Sequence, residues 1–594
     1  MPNKRSCLFI AGLIFVSNSS HGVTILSGPS FTPSTNAPLA GILQLTTDVG
    51  SRISVSVTDG TSSWARAFYD FERTHSLSLA GFKPGRTNQI LITVSDQAQR
   101  TYTEPRLLTF VTAPLPADFP HSVVLQSDPG KMEPGYTLFT IQNRSAKKAY
   151  ITMMDNSGEV VWYSPAPAIS DVDVRQLSNG DLFVEEPAPL NRFREINLLG
   201  ETVQTWSAPA RYPVNNHDGV PTAHGTILYL SDVSRAVTNF PSNVTNPAAG
   251  LITTNVDDNP VVEISATNGE LLNAWSPIDL LNPTRVTYLT YQFPSSFGVD
   301  NEHANAVIED PSDNSIIVSL RTQHAVFKFL RSTGRLKWIL GPHANWGPGL
   351  QPYLLNPVGT PFAWNYGQHA PKITTRGTLL LYDDGNGRAC PFDPPIADQD
   401  NYSRAVEYSI NETNLQVTQV WDSTQAGGER IYTSAVGAAD LLEQSGNVLV
   451  TYGLVSYVNG VHPSLTATNA TMVRIREFTH DAVPKLVFDL SFFDSKNTNS
   501  TYSGYLCYRS HRVSDLYCHP AAPVADLNVS VVAGNPLLRF TADPHHTYTL
   551  EVASDGSHWT QIGSATQGSQ PDSFEFEDTS AGALPVRFYR VVTH

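Results

Sequence analysis

Three histidines occupy corresponding places in a repeated pattern of strand and turn. His217 precedes the turn in NNHDGVPTAHG, His303 in EHANAVIEDPSDN and His369 in GQHAPKITTRG. If these segments form the inner strands of radially stacked β-sheets, the three side chains converge at one mouth of a central channel. The equivalent segments DVDVRQLSNG and SAVGAADLLEQSG contain no histidine. A single histidine of this kind indicates packing, whereas three in register indicate a functional site.

A permanent positive charge accompanies the second histidine. Arg321 ends the strand IIVSLR that follows His303. A guanidinium beside several imidazoles suits the oxygens of a tetrahedral anionic ester, because charge-assisted hydrogen bonds hold such oxygens. Asn305 lies two residues after His303, on the same face of an extended strand, and is predicted to donate another bond to the substrate. Asp218, directly after His217, is interpreted as an orienting or turn residue rather than a catalyst.

The strands that must position these groups recur along the middle of the chain. Six segments share a turn followed by an outer strand with an aromatic residue, in SGEVVWY, LGETVQTWS, NGELLNAWS, TGRLKWILG, NLQVTQVWDS and VPKLVFDLSF. Five segments share a turn followed by an inner strand, in NGDLFVEE, HGTILYLSD, DNSIIVSLR, RGTLLLYDDG and SGNVLVTYG. One such sheet cannot bury both of its faces alone, so neighbouring sheets must stack radially. The pattern predicts a six-bladed β-propeller in which the recurring Trp residues pack the core.

Shorter β-rich regions flank this repeat. We predict an all-β protein with a signal peptide over residues 1–22, a fibronectin-like N-terminal β-sandwich over 23–120 and a catalytic propeller over 121–522. A small C-terminal β-sandwich over 523–594 is interpreted as an accessory module. The alternating strands RISVSVTDG and NQILITVSD carry the first sandwich prediction, and HTYTLEVASDG and VRFYRVV carry the second.

Composition limits the partners of this chain. Only 15% of residues are charged, while 42 Pro and 39 Gly punctuate a sequence rich in strand-forming residues. A formal net charge of -16 argues against a nucleic-acid partner, whose phosphates would be repelled by such a surface. A local positive pocket for one small anion is compatible with that charge.

The N-terminus has the pattern of a secretory signal. Two basic residues precede the apolar run CLFIAGLIFV, which is followed by small polar residues. The run is too short to span a bilayer, so we expect an exported protein, periplasmic or extracellular, without stable membrane insertion. Once the signal is removed, three cysteines remain, and Cys507 with Cys518 is the favoured disulfide because the two are close in sequence. Three buried thiols are the alternative.

Together these motifs resemble the bacterial arylsulfate sulfotransferase family. The resemblance covers roughly residues 25 to 520 and rests on HDGVPTAHGTILYL, EHANAVIEDPSDNSIIVSLRTQHAVFKF and GQHAPKITTRGTLLLYDDGNG. It implies transfer of a sulfuryl group from one phenol to another, with a phenolic sulfate donor, a phenol acceptor and no cofactor or metal. The family's nucleophilic histidine, which becomes transiently sulfated, corresponds best to His369, and its other active-site groups correspond to His217, His303 and Arg321.

The chemistry of these groups predicts a mechanism and leaves two alternatives open. We expect His369 to attack sulfur in a ping-pong reaction, Arg321 and His303 to hold the sulfonate oxygens, and His217 to act as general acid and base. Three histidines can also bind zinc, which would make the protein a metal-dependent ester hydrolase or sulfatase. A secreted propeller that binds glycans or proteins without catalysis is the second alternative. The oligomeric state does not follow from the sequence.

Overall fold

The computed structural model describes residues 22–166, 172–293, 295–463, 470–493 and 504–517, followed by 525–532, 534–542, 547–553, 559–568, 573–580 and 587–593. Nearly all regular structure in these ranges is β. The helices described there are one short α-helix, Pro277–Leu280, and the 3₁₀ segments Gln351–Tyr353, Asp398–Asp400 and Ser423–Ala426. The all-β class is therefore confirmed. None of these helices has the length and apolar character that crossing a bilayer requires.

Six sheets with antiparallel strands succeed one another through the middle of the described chain, and we number them I to VI. Sheet I contains Tyr505–Val513, Tyr136–Asn143, Lys148–Asp155 and Val160–Pro165, and sheet II contains Val174–Gln176, Leu182–Glu186, Arg192–Ile196 and Thr202–Ser207. Sheet III contains Val214–Pro221, Thr226–Ser231, Val261–Ser265 and Leu271–Trp275, and sheet IV contains Ala304–Asp310, Ser315–Leu320, Ala325–Leu330 and Leu336–Leu340.

The last two sheets carry additional short strands. Sheet V contains His369–Ile373, Leu379–Asp383, Arg404–Asn411 and Gln416–Asp422, with Asn356–Pro357 parallel to the last of these. Sheet VI contains Gly437–Leu441, Ile431–Thr433, Val448–Val458, Met472–Phe478, Leu486–Phe492 and Ser122–Ser127. A separate hairpin, Val233–Pro241 with Leu251–Asp258, extends from sheet III.

Both ends of this region join sheets whose other strands lie far away in the sequence. Tyr505–Val513 pairs with Tyr136–Asn143 at one edge of sheet I, and Ser122–Ser127 pairs with Leu486–Phe492 at one edge of sheet VI. The first strands of successive sheets contact one another from Val214–Pro221 through sheets IV and V to sheet VI. This arrangement supports the propeller-like architecture, and six as a blade count stays a prediction.

The recurring tryptophans link neighbouring sheets through their indole nitrogens. Trp162 Nε1 donates to the Leu198 carbonyl oxygen at 2.8 Å, and Trp206 Nε1 donates to that of Ala266 at 2.6 Å. Trp338 Nε1 donates to Glu412 Oε1 at 2.9 Å. In each case the acceptor lies in a turn of the next sheet. Burial of a large ring whose polar atom is paired stabilises these junctions.

The N-terminal region forms one sheet in which two unusually long strands participate. Its strands are Ile25–Pro33, Ala40–Thr58, Ser63–Ala80, Thr87–Asp96, Thr101–Thr103 and Leu108–Val111. Ala40–Thr58 is long enough to pair with three neighbours, and one of these, Thr87–Asp96, pairs with the two remaining strands, so hydrogen bonds connect all six. Its buried face belongs to the same hydrophobic cluster as parts of sheets I and VI.

The C-terminal region contains two sheets that share a small core. One sheet contains Ala525–Val532, Asn535–Thr541, Thr566–Gln567 and Ser573–Glu577, and the other contains Tyr548–Ala553, Thr560–Ser564 and Phe588–Thr593. Leu538 and Phe540 of the first sheet pack with Tyr548 and Leu550 of the second. The predicted domain boundaries stay predictions.

Two predictions from the sequence concern residues outside the described ranges. The apolar run of the predicted signal peptide lies entirely outside them. Cys507 is buried, and its predicted disulfide partner Cys518 lies outside the described residues. The disulfide therefore stays a prediction.

Candidate active site

His303 and Arg321 lie side by side at one end of a β-hairpin in sheet IV. The strand Ala304–Asp310 starts directly after His303, and its antiparallel partner Ser315–Leu320 ends directly before Arg321. The Arg321 backbone nitrogen donates to the His303 carbonyl oxygen at 3.0 Å. The eighteen-residue spacing therefore brings an imidazole and a guanidinium to the same place.

Histidines from three consecutive sheets approach one another around Tyr508. The ring centroids of His217 and His303 are 4.7 Å apart. The ring of Tyr508 lies 6.1 Å from that of His217 and 6.3 Å from that of His369. The structure thus brings together the three histidines that the repeat pattern selected.

His369 is held through one ring nitrogen. Its Nδ1 lies 2.5 Å from Asp384 Oδ2 and 3.1 Å from the Gly367 carbonyl oxygen. A carbonyl oxygen only accepts, so Nδ1 carries the proton and Nε2 presents a lone pair. Burial, followed by the positive field of Arg321, holds the pKa of His369 well below its ordinary value. His369 is therefore an uncharged imidazole with a nucleophilic nitrogen at neutral pH.

Burial raises the pKa of Asp384, the carboxyl partner of His369, well above its ordinary value. This effect outweighs the opposing field of Arg321. A carboxylate with a raised pKa is a stronger base, so Asp384 can accept more of the Nδ1 proton as positive charge grows on the imidazole.

Arg321 is a buried cation with unused donors. Its side chain is 1% exposed, and Nη2 donates to the Ser434 carbonyl oxygen at 3.0 Å and to Asn386 Oδ1 at 3.4 Å. Within the described part of the chain, Nε and Nη1 have no hydrogen-bond partner, and no carboxylate lies within 4.0 Å of the guanidinium. Buried donors normally have partners, so these two N–H groups indicate a site for an anion.

An aromatic residue from a long insertion covers this cation. Phe293 belongs to the segment between the helix Pro277–Leu280 and sheet IV, and its ring centroid lies 4.7 Å from the Arg321 guanidinium carbon. The same ring lies 6.0 Å from the His303 ring. The insertion therefore places an aromatic face over the anion site, where a substrate ring can pack.

The other two histidines differ in their surroundings. His303 Nδ1 lies 2.6 Å from Asp300 Oδ2, which orients its ring. His217 Nδ1 is buried without a hydrogen-bond partner among the described residues. Burial, and then the neighbouring His303, hold the pKa of His217 well below its ordinary value. His217 is therefore uncharged at neutral pH and able to accept a proton.

The side chain of Asn305 forms its hydrogen bond within the protein. Asn305 Nδ2 donates to the Gln368 carbonyl oxygen at 2.8 Å, next to His369. His303 has a φ of 49° and precedes the strand, whose pairing is irregular between Ala304 and Ala306. The two-residue alternation of side chains therefore does not relate His303 to Asn305. The predicted role of Asn305 in substrate binding stays a prediction.

Asp218 is fully buried between two arginines. Its Oδ1 accepts from Arg175 and from Arg509, each at 2.9 Å, and its Oδ2 accepts from the Val307 backbone nitrogen at 2.9 Å. These contacts tie sheet III to sheets I, II and IV. They agree with the interpretation of Asp218 as an orienting residue.

Sequence reasoning did not select Tyr508, Arg509 or Asp384. The Tyr508 hydroxyl and Arg509 Nη2 both donate to the Asn305 carbonyl oxygen, at 2.8 and 2.7 Å. Two signals were present: the closing strand YLCYRSHRV is unusually rich in polar groups, and Asp384 follows the inner strand LLLYD. Neither signal indicates a side chain's direction without the tertiary structure.

The distances between possible ligand atoms test the zinc alternative. Across the described ranges, the ligand atoms of the three histidines do not lie within 4.8 Å of one another, whereas those of Asp310, Asp313 and Glu412 do. These three carboxylates already contact Lys328, which accounts for their proximity. The histidines instead share their site with Arg321, whose positive charge favours an anion over a metal cation.

Comparisons with known proteins identify the family of this chain. A family model described as Arylsulfotransferase (ASST) matches residues 103–502. An arylsulfate sulfotransferase AssT of Escherichia coli O6:H1 is 26% identical over 335 residues, which is 47% of this chain and 54% of that protein. An arylsulfate sulfotransferase AssT of Lelliottia amnigena is 25% identical over 334 residues, 47% of this chain and 53% of that protein. The chain thus spans about half the length of these relatives.

A solved structure of an apocarotenoid oxygenase from Synechocystis overlaps loosely with the chain. It is 9% identical, covers 72% of this chain and 87% of its own, and has a TM-score of 0.29. This overlap carries no functional information.

Proposed function

Because the chain belongs to the arylsulfotransferase family, we propose that it transfers a sulfuryl group from a phenolic sulfate ester to a phenol. The observation that carries this proposal is the buried Arg321, whose Nε and Nη1 have no partner among the described residues and lie near an uncharged His369. A fixed guanidinium binds a sulfonate, and a neutral imidazole attacks its sulfur.

In the first half-reaction, His369 Nε2 forms a bond to sulfur while the bond between sulfur and the phenolic oxygen breaks. The transition state should be loose and in line, as in phosphoryl transfer, so positioning and charge stabilisation supply most of the catalysis. Arg321 and His303 hold the sulfonate oxygens. Asp384 and the Gly367 carbonyl oxygen hold the Nδ1 proton, so the attacking nitrogen keeps its lone pair. The product is a sulfohistidine and a phenolate.

In the second half-reaction, the acceptor phenol attacks the same sulfur and the bond between sulfur and His369 breaks. His217 accepts the phenolic proton, a role that suits its uncharged ring, and releases it to solvent after the new ester has formed, while His369 leaves sulfur as a neutral imidazole. An uncharged imidazole is a poor proton donor, so the donor's phenolate departs as an anion. Donors should therefore be esters of phenols, whose ordinary pKa near 10 lets them depart as anions far more readily than alkyl alcohols.

A chromogenic assay tests the proposal directly. Purified protein is incubated with 4-nitrophenyl sulfate in the presence and absence of a second phenol. Release of 4-nitrophenol that depends on the phenol supports transfer, release to water indicates a sulfatase, and no release with any aryl sulfate indicates a binding protein. Loss of activity on chelation, with recovery on zinc addition, would establish the metal-dependent alternative.

The nucleophile is tested by trapping. Protein mixed with donor alone should gain the mass of one SO₃ group on the peptide that contains His369, and addition of phenol should remove it. His369→Ala should neither gain this mass nor turn over. Transfer at the wild-type rate by that variant would refute the assignment of the nucleophile.

We also propose that the protein acts after export, because two basic residues and a short apolar run precede the first strand. The test is N-terminal sequencing of the mature protein from periplasmic and extracellular fractions. A mature protein that begins near residue 23 supports export, and an intact N-terminus in the cytoplasm contradicts it.

A further inference from the structure

A second cavity lies between sheets V and VI. It has a volume of about 640 Å³, within the range of roughly 300–1,000 Å³ that is usual for small-molecule sites. Its lining contains none of the three candidate active-site histidines and does not include Arg321. It is therefore a separate site whose chemistry the proposed transfer reaction does not use.

Two buried arginines form the charged wall of this cavity. Arg474 and Arg476 lie two residues apart on Met472–Phe478, so they project from the same face of sheet VI. Their side chains are 4% and 6% exposed. Arg474 Nε donates to Asp489 Oδ1 at 2.8 Å, and Arg476 Nε donates to Asp489 Oδ2 at 3.0 Å. One carboxylate on the neighbouring strand is thus shared by two guanidinium groups.

Glu429, at the rim of the cavity, supplies the second negative charge. Glu429 Oε2 accepts from Arg474 Nη2 at 3.1 Å and also contacts Arg476 Nη2, yet the Glu429 side chain is 41% exposed. Glu429 follows Gly427 and Gly428, whose φ angles of 68° and 82° are in the left-handed region. Two consecutive glycines restrain the backbone least, so Glu429 can leave the arginines without strain in its turn.

The cavity also offers donors and apolar surface for a ligand. In the described part of the chain, Nη1 of neither arginine has a hydrogen-bond partner. The ring centroid of Tyr452 lies 5.9 Å from the Arg476 guanidinium carbon, and Phe478 and Ile431 are among the apolar residues of the lining. An aromatic ring can pack here with an acidic group directed to the guanidinium groups.

We propose that this cavity binds a small organic anion with one aromatic ring, whose carboxylate or sulfonate replaces Glu429 on Arg474 and Arg476. In the unliganded protein, Glu429 neutralises the charge that Asp489 leaves unpaired, because a buried unpaired guanidinium is unfavourable. A ligand anion supplies the same charge and adds contacts with the aromatic wall. The proposal is independent of the transferase reaction and does not depend on its outcome.

Thermal unfolding and calorimetric titration measure binding in solution. The probes are benzoate, acetate, which lacks the ring, and benzyl alcohol, which lacks the charge. Glu429→Gln removes the competing carboxylate, so it should bind benzoate about tenfold more tightly than wild type and show a larger rise in Tm. The exposed Glu443→Gln serves as the matched control and should bind benzoate as wild type does. Equal benzoate affinity in all three proteins would overturn the proposal, as would equal stabilisation by benzyl alcohol.

The position of the ligand needs a separate measurement, because the candidate active site also suits aromatic anions. Crystals soaked with 4-iodobenzoate should show anomalous iodine signal between sheets V and VI, with Glu429 displaced. Signal only at the three histidines would overturn the proposal. Signal in the cavity without calorimetric binding in solution would mean binding at crystal concentration only and would overturn it equally.

Discussion

Replacement of Arg321 tests the anion site most directly. Arg321→Met keeps the length of the side chain but removes its charge and donors, whereas Arg321→Lys keeps a charge without the guanidinium fork. Nε and Nη1, which have no hydrogen-bond partner in the described part of the chain, are the donors available to sulfonate oxygens. We expect both variants to lose transfer activity, the Met variant more than the Lys variant.

The size of the loss follows from the contacts of Arg321. Hydrogen bonds to a charged group each contribute about 1.5–3 kcal/mol, so loss of two amounts to about 3–6 kcal/mol. That range corresponds to a decrease in kcat/KM of about 10²- to 10⁴-fold for Arg321→Met. Lysine retains one strong contact, so Arg321→Lys should lose about 10- to 10²-fold.

Thermal stability separates this role from a structural one. Arg321→Met removes a buried charge that has no carboxylate partner in the described chain, but it also removes the hydrogen bonds to the Ser434 carbonyl oxygen and to Asn386. These two effects oppose each other, so Tm should change little. The exposed Arg335→Lys, at the outer turn of the same sheet, is the control and should alter neither rate nor Tm. Kinetics with 4-nitrophenyl sulfate and phenol provide the rates. An Arg321→Met protein with kcat/KM within tenfold of wild type, or with a markedly lower Tm, would refute the reasoning.

Three further predictions concern Asp384, the two buried histidines and Trp162. Asp384→Asn should slow formation of the sulfated enzyme by about 10²-fold or more in rapid-quench experiments, because the amide cannot accept the Nδ1 proton of His369; unchanged formation would contradict this. Because the pKa values of His369 and His217 are lowered in the folded protein, these two imidazoles bind protons below a pH of about 6.5 in the unfolded chain but stay unprotonated in the folded site. The free energy of unfolding should therefore decrease as the pH falls below that value, and His217→Asn should reduce the slope measured by urea unfolding between pH 5 and pH 7. Trp162→Phe removes the hydrogen bond to the Leu198 carbonyl oxygen and leaves that buried acceptor unpaired, so it should cost about 1–3 kcal/mol in urea unfolding without changing KM.

Several features of the site were predictable from local sequence. The spacing of turns and aromatic residues indicates the strands, because alternation and turn chemistry are properties of short segments. The matching positions of His217, His303 and His369 before their turns were enough to propose that they meet. Arg321 joins His303 because antiparallel pairing places the end of one strand beside the start of its neighbour.

Only the tertiary structure decided how those groups are tuned. Tyr508 lies 203 residues after Asn305 in the chain, and its hydroxyl donates to the Asn305 carbonyl oxygen. No local pattern specifies that contact. Asp384 becomes the partner of His369 because sheet V buries both side chains together. The sequence by itself therefore determined the repeating strands and which residues stand at their ends. Burial and long-range contacts lowered the pKa values of His217 and His369 and left Nε and Nη1 of Arg321 without partners among the described residues, because electrostatic environment depends on neighbours that are distant in the chain.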